Sequence, residues 1–335
     1  MATNDFLVFG GGAGANVITQ VTYSGLAART AGFSSGVAQS AQLNKVWRQS
    51  SIMAAVLAQF IGDISGQDVL DDGSTTAILT NLKAASRAQS IGIVGAVRNA
   101  RMSVAAASAI ATFSADEVVV ETALGGLVYR LPNFSKTVNL ATVGAGGMDT
   151  GTAPANGYVA LYAIYNPTTG ASALLAKDAT SGVQPEVYGA ANMPAGYTAS
   201  ALVSVLRTNG SSQLTACFQV DRAIYIGTLT ALTTSTVSGA FTSFAISSIV
   251  PPNAKAITAG SVQAGSSATS TVAVSVAGSS VGFGAISASF ATNSAQAYTV
   301  PMPRIALLTP QTLYYSASNT AGTPTYVINI SGYEF

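Results

Sequence analysis

VVVETALGGLVYRL, residues 118–131, is a pair of strand-forming runs around Gly125-Gly126, and the glycines can supply the positive φ of a tight hairpin turn. Working back from it, Arg101–Ala105, Ala111–Phe113 and Glu117–Thr122 read as strands, with Leu127–Leu131 as the return. Near Ile91 the period of two gives way to a helical one, so a domain boundary is expected at about residues 88–96. The cations around it, Lys83, Arg87, Arg98 and Arg101, are too sparse for a nucleic-acid patch and read as a solvated joint.

Upstream, GVAQSAQLNKVWRQSSIMAAVLAQFI, residues 36–61, is helical. Leu43, Val46, Ser50, Met53, Leu57 and Phe60 alternate three and four apart and form one seam, with Lys45, Arg48 and Gln59 directed elsewhere. Trp47, Ala54 and Ile61 make a second apolar face, so more than one neighbour is expected. The seam suits an amphipathic core helix or a short trimeric coiled coil; Ser50 and a length of about three heptads weaken the second reading. After Gly62–Gly66, DVLDDGS offers Asp71, Asp72 or Ser74 as N-cap of a second helix, Thr75–Arg87, with Ile78, Leu79 and Leu82 inward.

Downstream the chain is turn-punctuated β sequence. Tyr158–Tyr165 and Ala171–Lys177 flank NPTTG at 166–170, and Ala201–Arg207 and Gln213–Val220 flank Asn209-Gly210. Further strands are expected at Arg222–Leu229, Phe241–Val250, Thr271–Val276, Phe283–Phe290, Arg304–Leu308 and Tyr326–Ile330. Strands without interleaved helices indicate sandwiches or barrels. The expected fold is α+β: a helical N-terminal region at 1–90, a β-sandwich module at 91–250, and a C-terminal β-sandwich module at 251–335, with Pro251-Pro252 as the seam.

Composition narrows the function classes. Only 8% of residues are charged, against a usual quarter or so, and mean hydropathy is +0.42. No run reaches the roughly 18 to 20 apolar residues of a spanning helix, so no membrane insertion is expected. The hydrophobicity is Ala and Val spread through Ser-, Thr- and Gly-rich sequence, which favours hiding surface in an oligomer. A net charge of +1 gives no field for nucleic acid. The absence of histidine removes His-based triads, His metal sites and imidazole acid–base chemistry. The lone Cys217, in LTACFQV, reads as a small buried apolar residue. Met1–Gly10 lacks a signal peptide's basic start and long apolar segment, so synthesis in the cytoplasm is expected.

Two motifs fail their tests. Gly10, Gly12 and Ala15 fit the dinucleotide-loop spacing, but no acidic residue lies between Asp5 and Asp63, and no Lys-Ser or Lys-Thr follows. Asp68, Asp71 and Asp72 lack the glycine and final glutamate of a calcium loop and read as helix caps. No cofactor and no metal is expected.

Asn4–Gly73 resembles the N-terminal region of tail-fibre proteins of bacteriophages and prophages. The resemblance is carried by Asn4-Asp5-Phe6, Gly12-Ala13-Gly14-Ala15-Asn16, Gly32-Phe33-Ser34-Ser35-Gly36 and above all Ser40-Ala41-Gln42-Leu43-Asn44-Lys45-Val46-Trp47-Arg48-Gln49. It implies a homotrimeric fibre of the virion tail whose N-terminus fastens to tail or baseplate proteins, with Phe6, Phe33, Leu43, Val46, Trp47 and Arg48 as attachment residues. Ser114–Gly151, Gly157–Ala176 and Val187–Ser211 look like a module of the distal half of such fibres, where the family meets the bacterial surface. This second match is good through about Val250 and poorer after Pro252.

The expected function is therefore adhesion to a bacterial surface receptor, envelope glycan before pilus or outer-membrane protein. Candidate contacts are Asn166, Tyr188, Asn192, Tyr197, Asn209 and Asn319, loop amides and phenols that can hold sugar or protein; the alternative for each tyrosine is a half-buried sheet or turn residue. Enzymatic activity is not expected. Glycoside cleavage needs two carboxylates about 5 to 9.5 Å apart, whereas Glu117 and Glu121, four residues apart on a strand, are separated by about 13 Å. A polysaccharide-degrading tailspike and a purely structural baseplate component are the alternative readings.

Overall fold

The computed structural model describes residues 2–88, 92–292 and 296–335. Ile91, where the sequence period changes, lies outside the described residues, as do 89 and 90 within the expected boundary. The chain divides into two compact units, Met1–Ile91 and Gly92–Phe335.

The first unit is helical. Short helices α1 (Gln20–Ser24) and α2 (Ala28–Ala31) precede the long α3 (Ser40–Ser65), and α4 (Thr75–Ala88) follows. Gly66 stops α3 in the left-handed conformation, φ 68°, with its N–H returned to the Gly62 carbonyl. Ser74 caps α4, its Oγ accepting from the Ala77 N–H at 3.4 Å while its own N–H donates to Asp72 Oδ1 at 2.8 Å. The core here is small: Ala58, Ile61 and Val69, with Phe6, Ile78 and Leu82 against them. Leu79 is not inward as expected but half exposed, because the α3-facing stripe of α4 runs through Ile78 and Leu82.

The second unit is built of antiparallel strands. They are β1 (Val97–Arg98), β2 (Arg101–Val104), β3 (Ile110–Glu121), β4 (Val128–Asn139), β5 (Tyr158–Tyr165), β6 (Ser172–Asp178), β7 (Ala199–Arg207), β8 (Cys217–Val220) and β9 (Ala223–Thr234). After them come β10 (Ser238–Ala245), β11 (Ala256–Ser266), β12 (Ser270–Ala277), β13 (Ile286–Thr292), β14 (Gln296–Met302), β15 (Ile305–Ala306), β16 (Thr312–Asn319) and β17 (Pro324–Glu334). One sheet runs β14-β11-β17-β9-β8-β2-β3-β7-β5-β6, with β1 and β4 on β3 and β15 on β11. A second sheet runs β10-β16-β12-β13. Residues of both sheets share one hydrophobic core, among them Tyr326, Ile328, Ile330, Val272, Val274 and Tyr315. The fold is thus α+β, a short N-terminal helical region followed by a mostly β-sandwich body.

The Gly125-Gly126 hairpin joins β3 to β4, pairing Glu121 with Val128. Gly125 has φ 75°, and a Cβ on Gly126 would lie 2.5 Å from Thr122 Oγ1, so each glycine answers a distinct steric demand. The two strands expected at Ala111–Phe113 and Glu117–Thr122 are one, β3. Four strands were not expected: β1, β11, β14 and β16. In β11, AITAGSVQAGS, glycine stands where the backbone is crowded; a Cβ on Gly260 would meet the Asn329 carbonyl oxygen at 2.3 Å. At the expected Pro251-Pro252 seam both prolines are buried, and β17 crosses it by pairing with β9 on one side and β11 on the other.

Candidate functional site

Helix α3 carries four of the six residues on which tail attachment was expected, Leu43, Val46, Trp47 and Arg48; Phe6 and Phe33 precede it. Phe6 is half-buried against Ala58, Ile61 and Val69. Phe33 is 50% exposed and shares with Leu43 a hollow of about 540 Å3 between α2 and the start of α3. Val46 and Arg48 are half-buried, while Trp47 stays 53% exposed and meets Phe9 edge-on at 5.7 Å. The structure therefore gathers Phe33 with Leu43, and Trp47 with Phe9, but does not merge them into one cluster.

The seam is not the face that packs within the chain. Met53, Leu57 and Phe60 remain exposed, and Ile52 and Val56, outside the seam as read from sequence, join them. No charged residue interrupts the segment between Arg48 and Asp63. The core face instead runs through Ala58, Ile61 and Gly62. Only Ile61 of the second apolar face is buried; Trp47 and Ala54 are exposed. Lys45 is buried too, its ammonium 5.9 Å over the Tyr23 ring, which lets the aliphatic stem bury while the charge keeps a π-face. Small residues at 58 and 62 set this face, a signal weaker in sequence than the larger side chains of the seam.

The receptor candidates fall into three places. Asn166, Asn192 and Tyr197 lie at one end of the β5–β7 pair, where Tyr165 is opposite Ala199. Asn209 lies at the other end, beyond Arg207, which pairs with Tyr158. Asn319 belongs to the second sheet. Their chemistry is largely committed. The Asn166 Oδ1 accepts from the N–H groups of Thr168 and Thr169, holding the NPTTG turn. The Asn209 Oδ1 does the same for Ser211 and Gln213. Asn319 accepts from the Ser270 hydroxyl and donates to the Gly322 carbonyl. Asn192 is exposed and Tyr197 half-buried.

Tyr188 is buried rather than a loop contact. Its hydroxyl donates to Asp149 Oδ2 at 2.8 Å, its ring meets Tyr162 edge-on at 5.3 Å, and Lys177 sits 5.8 Å over it. Burial first, then the Asp149 carboxylate, raises the Tyr188 phenol well above its ordinary range. Cys217 is half-buried, and desolvation pushes its thiol up to about 11, which leaves it an unreactive packing residue. Glu121, one of the two carboxylates weighed for sugar cleavage, is buried with one oxygen accepting from the Gly125 N–H.

Nearby, the Arg222 Nη2 group donates to both carboxylate oxygens of Glu186, at 3.0 and 3.1 Å, and Lys255 approaches at 3.5 Å. Arg222 also donates through Nε to the Phe335 main-chain oxygen and stacks 4.5 Å over the Phe335 ring. This knot ties the β8–β9 turn to the 180s loop and to residue 335. Its role is structural.

No family model matches the chain, and no curated protein matches it. Among solved structures, the tryptic core of a Bacillus thuringiensis Cry1Da variant aligns with 75% of this chain and 54% of its own, at 9% identity and a TM-score of 0.18. The chain spans about half the length of that protein, and the likeness carries no argument. Among the described residues, no helix is long and apolar enough to cross a membrane.

Proposed function

We propose that the chain is a receptor-binding fibre of a phage tail or phage-tail-like bacteriocin, acting as a homotrimer in the virion tail. In this reading the helical unit fastens to tail or baseplate proteins, and the β unit adheres to a bacterial envelope glycan. The reading rests on the sequence resemblance of Asn4–Gly73. The observation that supports it best is the uncharged, exposed stripe Ile52, Met53, Val56, Leu57 and Phe60, spaced for a helix–helix seam and left open by a single chain. Three copies would close that stripe and raise the avidity of a weak site without new contacts.

The test has two arms. Sedimentation of the full chain should give a trimer, and Leu57→Glu should dissociate it; a monomeric wild type would remove the stripe's support. Labelled protein applied to Gram-negative strains with defined envelope mutants should bind selectively and lose binding with one envelope component. A folded trimer that binds no strain would favour a structural baseplate component, and release of reducing sugar from a bound glycan would favour a polysaccharide-degrading spike.

A further inference from the structure

The solvent face of the large sheet carries a constellation that none of the loop candidates belongs to. Along β2, Arg101 and Ser103 point outward while Met102 and Val104 are buried. Their cross-strand partners share that face: Ser114 and Val220 beside Arg101, and Phe218 beside Ser103. Phe218 in turn is opposite Tyr225 on β9, and the two rings lie nearly parallel, 14° apart with centroids at 4.7 Å. Phe218 is 49% exposed, so the stacked pair stands at the surface rather than in the core, and the ring face of Phe218 turned away from Tyr225 is the one left open.

On the other side of Arg101 the sheet is opened. Pairing of β3 with β4 stops at Ala115–Phe134 and resumes at Glu117–Pro132, passing over Asp116 and Asn133. On the opposite flank, β1 pairs with β3 as far as Arg98–Glu117, and β2 begins at Arg101–Ser114. The Ala100 N–H and carbonyl between them turn away to Asp221. Asn99 and Asn133, which flank Asp116 from the two sides, both adopt the left-handed conformation, φ 54° and 50°. The Asn99 amide donates to Asp116 Oδ2 at 2.5 Å. Around them is a cleft of about 530 Å3 lined by Asn99, Arg101, Ser114, Asp116, Asn133 and Ser135. A second hollow of about 300 Å3 lies beside Phe218 and Tyr225, with Ser103 shared at its edge.

We infer that this face is an oligosaccharide-binding site, an inference that rests on the adhesion reading above and locates its receptor contact. A pyranose presents an apolar C–H face and a rim of hydroxyls. The open face of Phe218, backed by Tyr225, takes the first, and the amides, carboxylate and guanidinium around Asp116 take the second. Four residues along β3, from Thr112 in the Phe218 row to Asp116 in the asparagine row, span about 13 Å, room for more than one ring. The floor between is short: Ser103, Ser114 and Ser135 leave space that larger side chains would fill. One guanidinium and one carboxylate leave the cleft balanced in charge, which suits a hydroxyl-rich ligand better than a strongly anionic one. A second copy of the chain is the poorer occupant, because the face is polar around a single aromatic pair.

The full-length protein is applied to immobilised O-antigen, lipopolysaccharide-core and capsule oligosaccharides, and in parallel to intact cells. Phe218→Ala should weaken array and cell binding by about tenfold or more, with Phe218→Tyr restoring most of it. Asn99→Gly and Asn133→Gly should also lose binding; glycine removes the amide yet keeps the left-handed backbone, so the fold is spared. Val183→Ala, at an exposed loop position, should change nothing. Array binding that survives all three cleft variants would overturn this site but leave adhesion standing. Cell binding without any array binding would overturn the glycan inference. No binding to either would overturn the adhesion reading itself, and a Phe218→Ala protein that falls apart into monomers would show a subunit interface instead.

Discussion

Strand β5 and helix α3 are drawn from the same low-charge composition, yet they settle their apolar surface in opposite ways. In β5 every residue from Tyr158 to Ile164 is buried, between β6 and β7 in the large sheet. Helix α3 is more than three times as long and buries four residues, Lys45, Ala58, Ile61 and Gly62. The β unit is complete within one chain. Among the described residues, the apolar core of the helical unit is Ala58, Ile61 and Val69, and the stripe on α3 stays open in the single chain.

The largest effect expected to separate the two units is alkaline. Tyr158, Tyr162 and Tyr333, all in the β unit, donate their hydroxyls to the carbonyls of Ser247, Pro185 and Val205. Burial, the leading cause for each, raises all three phenols above the ordinary value near 10. The unfolded chain releases those protons first, so their stabilisation is fully present below pH 10 and is lost as pH rises through 10 toward the folded values. Each phenol removes about 1.4 kcal/mol per pH unit over that window, about 4 kcal/mol for the three, against a whole-domain stability of roughly 5–15 kcal/mol. Denaturant titrations of the full chain, followed by tyrosine absorbance, should show the β transition collapsing between pH 10 and 12. A β transition unmoved at pH 11 would refute the burial of these hydroxyls.

Next in size is a cavity in the better-filled unit. Leu161 is fully buried in β5, and Leu161→Ala should cost about 2–5 kcal/mol in chemical denaturation. The Arg222 knot ranks below it. Arg222→Ala removes two charge-assisted bonds to Glu186 and one to the Phe335 oxygen, at a cost of about 1.5–3 kcal/mol, since the pair is only partly exposed. Arg222→Lys should recover less than half, because an ammonium cannot reproduce the fork and the stack on Phe335. Equal stability of the two variants would mean that charge alone holds residue 335.

Which of these features the sequence shows depends on how locally they are encoded. Tyr158–Tyr165 was legible to the residue, because a β-branched and aromatic run between turn signals admits few other readings. β11 was not, since its Ala, Gly and Ser sequence is shaped by Asn329 and Met302 approaching from strands about seventy and about forty residues away. The second face of α3 was legible only at Ile61; that the larger seam would stay open is a fact about neighbours, which a helical period does not contain. Of the asparagines expected as receptor contacts, Asn166 and Asn209 turn their side-chain oxygens to main-chain N–H groups of their own turns, and Asn319 bonds Ser270 and the Gly322 carbonyl. Asn99, Asp116 and Asn133 were invisible because they meet only where two ladders break beside β3.

The smallest expected effect bears most directly on the comparison. Leu57 is 46% exposed in the single chain, so in dilute solution Leu57→Ala should shift stability by no more than about 0.5 kcal/mol, alanine being as good a helix former as leucine. If copies of α3 close on the stripe, the same change becomes a buried deletion repeated in every subunit, with a cost of about 2–5 kcal/mol each. The variant should therefore look neutral when dilute and increasingly destabilised, relative to wild type, as concentration rises. Leu161→Ala, in a core that belongs to one chain, should show the same deficit at every concentration. Circular dichroism melts of both variants across a dilution series read the two slopes together. Parallel slopes would mean that α3 owes its order to its own chain, and that the helical unit is as self-contained as the β unit.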